Sequence, residues 1–138
     1  MRDASEVPIR VLVVDDHDGF RSALVGALSL MPQVEVAGAA DSGERACDAV
    51  LALRPDVVLM DVSLPGMDGI SATRRIRRSN PDTSVVVLTS FDGGAVERSA
   101  REAGARAVIG KGAPLDDVVM LILEAAEQSP NAEGPRAQ

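Results

Sequence analysis

The sequence predicts an α/β domain built on a doubly wound parallel sheet of five strands. Two observations lead to this class. Five short runs of branched apolar residues alternate with stretches whose apolar residues recur at helical spacing, and polar residues suited to chemistry gather just past the carboxyl ends of those runs. Strict alternation of strand and helix imposes right-handed crossovers, so the strands run parallel and helices cover both faces.

The first strand is read at Arg10 to Val14. A helix follows in which Phe20, Ala23, Leu24, Ala27, Leu28 and Met31 form one apolar stripe, with Pro32 expected to end it. The second strand, Val34 to Ala39, leads to a helix with Ser42 as its N-cap, the apolar residues Ala46, Ala49, Val50 and Leu53, and an exit at Pro55. The third strand is Val57 to Met60, and a shorter helix beginning near Asp68 and Gly69 carries Ile70 and Ile76. After a fourth strand at Val85 to Leu88, the helix from about Gly94 to Ala103 is the weakest, because Gly93 and Gly94 open it and its apolar residues are mostly alanine. The fifth strand, Ala107 to Ile109, precedes a helix that starts after Pro114, with the proline suited to the first turn and Leu115, Val118, Val119, Ile122 and Ala126 on one face. Residues 1–128 form the domain, and 129–138, broken by Pro130, Gly134 and Pro135, are read as a disordered tail or linker stub.

Composition narrows the function. At 138 residues the chain closes one core, and that core is aliphatic, since Phe20 and Phe91 are its only aromatic residues. There is no platform for stacking bases, and 14 basic against 21 acidic residues give a net charge of -7, the wrong sign for a nucleic-acid surface. Cys47 is alone and forms no intrachain disulfide. The polar stretch Met1 to Pro8 is no signal peptide and no apolar run has the length to cross a bilayer, so the reading places the protein in the cytoplasm, off the membrane.

The chemistry lies at the strand ends. Asp15 and Asp16 follow the first strand, Asp61 the third, Thr89 and Ser90 the fourth, and Lys111 the fifth. Carboxylates converging at one edge repel one another, and a divalent cation among them relieves that cost, which implies a magnesium site. A lysine and a hydroxyl in the same crevice add what phosphoryl transfer needs, a point charge and a donor for an anion.

Four segments carry a resemblance: Val11 to Asp16, Asp61 to Gly69, Val85 to Ser90 and Gly104 to Lys111. Together, and in this order, they resemble the signatures of the response-regulator receiver domain over roughly residues 9–127. The resemblance implies a flavodoxin-like (βα)5 fold with strand order 2-1-3-4-5, and a phosphoryl group accepted on Asp61 from a sensor histidine kinase. It further implies that Asp15, Asp16, Asp61 and the backbone carbonyl of Ser63 hold Mg2+, and that Thr89 and Lys111 bind the phosphoryl oxygens. Such a domain is not an enzyme beyond phosphorylating itself and slowly losing the group. The stretch Leu88 to Asp92 is similar to receivers joined to helix-turn-helix output domains. Two positions depart from the pattern: Val108 stands where the family commonly has an aromatic residue that reports phosphorylation, and Gly112 where many relatives have proline. In similar receivers the side chains at Ser63 and Phe91 influence the hydrolytic water, and neither supplies a carboxylate or amide here, which implies a long-lived phosphate.

Bland and rival readings stand beside these. His17 is read as an exposed loop residue, Cys47 as a small packing residue, and Arg74, Arg75, Arg77 and Arg78 as a solvated face. Met120, Leu121 and Leu123, on the flanks and outer side of the last helix, mark it as a partner or homodimer surface. The rival is a haloacid-dehalogenase-like phosphohydrolase using Asp16 and Asp18, with Asp116 and Asp117 as a later motif. That reading leaves Asp61 to Gly69 unexplained. A P-loop at Gly104 to Gly112 fails on spacing and on preceding its strand.

Overall fold

The computed structural model describes residues 7–90 and 94–127. Its elements alternate without interruption: β1 (Ile9–Val14), α1 (Asp18–Leu28), β2 (Val34–Ala40), α2 (Gly43–Leu53), β3 (Val57–Asp61), α3 (Gly69–Ser79), β4 (Ser84–Thr89), α4 (Gly94–Glu102), β5 (Ala107–Gly110) and α5 (Leu115–Ala126). All strand pairs are parallel and the sheet order is β2-β1-β3-β4-β5. The predicted class and strand order are therefore the observed ones. Among the described residues no helix is long and apolar enough to cross a membrane.

The near-continuous apolar strands follow from burial on both faces. Successive side chains alternate across the sheet, so Val11, Val13, Val57, Leu59, Val86 and Leu88 pack with α1 and α5, while Leu12, Val14, Val58, Met60, Val85 and Val87 pack with α2, α3 and α4. The sheet thus separates two cores. Between β1 and β2 the register shifts after Val11, which faces Val36 while Leu12 faces Gly38.

Several boundaries differ from the sequence reading, each for a local reason. Helix α1 ends at Leu28, before Pro32 can act, as the Leu30 and Met31 amides tighten onto the carbonyls of Ala27 (3.2 Å) and Leu28 (2.9 Å) three residues back, with the Ser29 hydroxyl bonded to Val25 O. Met31 lies beyond the helix yet still packs on the core. Helix α3 is not short: at 11 residues it equals α1 and α2, its polar run of arginines having masked its length. Pro114 takes the N-cap rather than the first turn, with extended ψ of 147°. Ser42 caps α2 as predicted, accepting from the Arg45 amide, and Asp68 does the same for α3 through the Ser71 amide. Gly93 and residues 129–138, where the tail was placed, lie outside the described residues.

Arg77 corrects the reading of the arginine run as a solvated face. Arg74, Arg75 and Arg78 are exposed, but Arg77 is half-buried and its Nη1 donates to the carbonyls of Pro81 (2.7 Å) and Thr83. Burial first, then the neighbouring Arg106, lowers its affinity for a proton, with Asp82 opposing. Gly104, at φ +110°, lies over it: a Cβ there would sit 2.8 Å from Arg77 Cγ. The α4–β5 turn rests on the guanidinium stem.

Candidate functional site

Five parallel strands deliver their carboxyl ends to one edge, and the polar residues there are held by backbone pairing rather than by loose loops. The Asp15 amide bonds to Ala40 O of β2, the Val62 amide to Leu88 O of β4, and the Lys111 amide to Thr89 O. Asp15, Asp61 and Lys111 are thereby fixed to β2, β4 and β4 in turn. Gly69 completes the placement: a Cβ at this position would lie 2.0 Å from the carbonyl oxygen of Asp61, so only glycine lets α3 start directly on the Asp61 backbone.

Asp15 and Asp61 are buried, whereas Asp16 and His17 are exposed. One ligand atom from each of Asp15, Asp16, His17 and Asp61 lies within 4.8 Å of all the others. The Lys111 ammonium stands between the buried carboxylates, 2.7 Å from Asp15 Oδ2 and 3.3 Å from Asp61 Oδ2. The contact to Asp15 is an ion pair without the alignment of a hydrogen bond, so this buried oxygen has a counter-charge but no aligned donor. The opposite oxygens are satisfied locally: Asp61 Oδ1 accepts from the Ser63 amide at 3.1 Å and Asp15 Oδ1 from the His17 amide at 2.8 Å.

Burial, then the Asp15 charge, pushes the Asp61 carboxyl above the usual range, while the Ser63 amide and Lys111 oppose. Burial works to lower Lys111, but Asp15 and Asp61 outweigh it and hold the ammonium above its ordinary value. Thr89 is buried at the end of β4, one residue past the Leu88 that pairs with Asp61, and Ser90 beyond it is exposed.

The structure thus brings Asp15, Asp16, Asp61, Thr89 and Lys111 to one edge. Asp18 is not part of the acidic cluster but pairs with Arg21 at 2.6 Å in the first turn of α1, and Asp116 and Asp117 are exposed at the start of α5, outside that cluster. Three neighbours were not read from sequence. His17 is exposed as expected, yet its Nδ1 is 3.3 Å from both Asp15 and Asp16. Arg21 Nη1 donates to the Asp15 carbonyl at 2.7 Å. The Phe20 ring lies under the Lys111 ammonium, 4.6 Å from centroid to Nζ. The helical stripe pointed Phe20 at the core, and only the position of Lys111 in space discloses the contact.

A family model described as the response regulator receiver domain matches residues 11–123. The chain belongs to the response-regulator receiver family. This receiver is 43% identical over 114 residues to the response regulator GacA of Pseudomonas aeruginosa, covering 83% of the chain and 53% of that protein. It is 38% identical over 125 residues to the transcriptional regulatory protein LiaR of Bacillus subtilis, covering 91% and 59%. The chain spans a little over half the length of these curated relatives. Among solved structures, the signal receiver domain of NarL from Mycobacterium tuberculosis superposes with a TM-score of 0.85 at 35% identity, over 88% of this chain and 98% of that one. A LuxR-family response regulator from Aurantimonas gives 0.84 at 28% identity, covering 92% and 94%. None of these relatives supports the phosphohydrolase reading.

Receivers of two-component systems partner with histidine kinases, and receiver domains bind Mg2+ at an acidic pocket. The donor set here fits such an ion: three carboxylates that mutually repel, one bearing a buried oxygen with no aligned donor, form the hard oxygen environment that magnesium prefers. The departure at position 108 also has a location. Val108 is half-buried and packs with the core beneath α2, α3 and α4, where its small side chain has no ring to bury or expose. Gly112 has open space around it, and Phe91 lies outside the described residues.

Proposed function

We propose that this receiver takes a phosphoryl group from a sensor histidine kinase onto Asp61 and transmits the change through the face formed by α4, β5 and α5. The observation that carries this reading is the placement of Asp61, buried and 3.3 Å from Lys111, inside a cluster of carboxylates at the carboxyl edge of the sheet. A carboxylate oxygen of Asp61 attacks phosphorus, the bond from phosphorus to the donor imidazole nitrogen breaks, and the leaving imidazole takes up a proton. With acetyl phosphate the leaving group is acetate. Asp15, Asp16, Asp61 and the backbone carbonyl of Ser63 would hold the magnesium ion, which supplies positive charge against the crowded carboxylates and the incoming oxygens. The Thr89 hydroxyl and the Lys111 ammonium bind phosphoryl oxygens.

Beyond this self-phosphorylation and slow hydrolysis the domain has no enzymatic role of its own. It works in the cytoplasm, contacting neither nucleic acid nor membrane directly. The α5 face serves contact with a partner or a second copy, on a narrower patch than the sequence suggests: Met120 is 58% exposed, but Leu121 and Leu123 are half-buried against the core. Sedimentation with and without a phosphate mimic tests the face, and Met120→Glu should weaken any self-association.

Intact-mass measurement with acetyl phosphate and magnesium tests the central claim. The wild type should gain one phosphoryl group and Asp61→Asn none. Phosphorylation of Asp61→Asn combined with its loss in Asp16→Asn would return the phosphohydrolase reading.

A further inference from the structure

We infer that Phe20 is a positioning residue for Lys111, a ring on α1 that keeps the ammonium at the acidic pocket while its carboxylate partners change. The inference rests on the assignment of Asp61 as the phosphoryl acceptor. Among the described residues the Lys111 ammonium meets Asp15 at 2.7 Å, Asp61 at 3.3 Å and the Phe20 ring face at 4.6 Å. Both carboxylates have other duties in the proposed reaction, since each is a magnesium ligand and Asp61 is consumed as the nucleophile. The closest counter-charge of Lys111 is therefore the one a cation would compete for. The ring is the neighbour that neither the metal nor the phosphoryl group alters.

The surroundings give this ring an effect that neighbouring side chains do not replace. A cavity of about 200 Å³ opens between α1 and α5 beside the lysine, lined by Ala23, Leu24, Ala27, Leu88 and Leu115 together with Phe20 and Lys111. Lys111 is the one charged residue in that lining, and no other described residue offers it an aromatic face. If the ring is removed, the aliphatic stem faces open space, and once a cation competes for Asp15 and Asp61 the ammonium is held less firmly at the pocket. The attraction between a cation and a ring face is tolerant of sliding, because it depends on distance to the ring more than on one bond direction. A lysine that must move from Asp15 toward a phosphoryl oxygen can keep such a contact throughout.

The test separates the ring's electrostatics from its bulk. Phe20→Leu keeps an apolar side chain without the π face, and Phe20→Tyr keeps the face. Rates of phosphorylation of the full chain by acetyl phosphate in magnesium are measured for both, each also in a Lys111→Ala background, with thermal melts to confirm folding. Phe20→Leu should slow phosphorylation about three- to tenfold, the range of a single cation–π contact, while Phe20→Tyr restores the rate. In the Lys111→Ala background the two should not differ. In metal-free protein the lysine side-chain NMR resonances should lose their ring-current shift in Phe20→Leu and keep it in Phe20→Tyr. Equal rates for Phe20→Leu and wild type, or an equal loss with and without Lys111, would overturn the proposal. A wild type that gains no phosphoryl group on Asp61 would instead overturn the assignment on which it rests.

Discussion

Asp61 is a buried acid placed against another acid, and its situation has an energetic sign. The folded carboxyl titrates above the unfolded one, so on acidification the folded chain takes up its proton first. Asp61 therefore costs stability at neutral pH, and the cost is relieved as the pH falls through the folded pKa toward the unfolded value. In EDTA at pH 7, Asp61→Asn should raise the melting temperature by about 3 °C, the shift that roughly 1 kcal/mol produces in a domain of this size. Lys111 keeps Asp15 as its partner in that variant, which is why the lost pairing does not reverse the sign. An unchanged or lower melting temperature would refute this. Two residues on, Ser63 turns its amide to Asp61 and carries neither a carboxylate nor an amide side chain to orient and polarise a water. Ser63→Asn should shorten the lifetime of the phosphorylated protein several-fold in a decay assay with magnesium and no kinase. Decay as slow as in the wild type would remove Ser63 from the account.

Helix α3 shows how one residue sets the position of an element. Its first residue, Gly69, donates its amide to Val62 O at 3.0 Å and leaves no room for a Cβ beside Asp61 O. Gly69→Ala should push the helix start away from Asp61, destabilise the domain by about 2–3 kcal/mol in urea denaturation, and slow phosphorylation in parallel. Stability within error of wild type would mean that the loop adjusts without cost. The same element marks the boundary of what the sequence discloses. The three central strands were legible because runs such as Val85 to Leu88 are buried on both faces, the half-buried edge strands β2 and β5 by their place in the alternation, and the acid, hydroxyl and lysine positions because they follow the strands. The length of α3 and the burial of Arg77 were not, because a run of arginines looks solvated until the α4–β5 turn is laid across it. Likewise α1 ends where its amides tighten onto carbonyls three residues back at Leu30 and Met31, a change with no signal as plain as Pro32.

At the scale of the molecule, the sheet divides the interior into an α1–α5 core and an α2–α4 core with little side-chain traffic between them. Ile122 lies in the first and Ile76 in the second, both buried. Ile122→Val and Ile76→Val should each cost about 1 kcal/mol, and the double variant their sum to within roughly 0.5 kcal/mol. A larger coupling, measured by urea unfolding, would show that the sheet transmits repacking from one side to the other. The acidic pocket adjoins the first core through Phe20 and Lys111, whereas Val108 belongs to the second. A face made of α4, β5 and α5 therefore draws on both cores, and a change of packing on either side of the sheet has a route to that one surface.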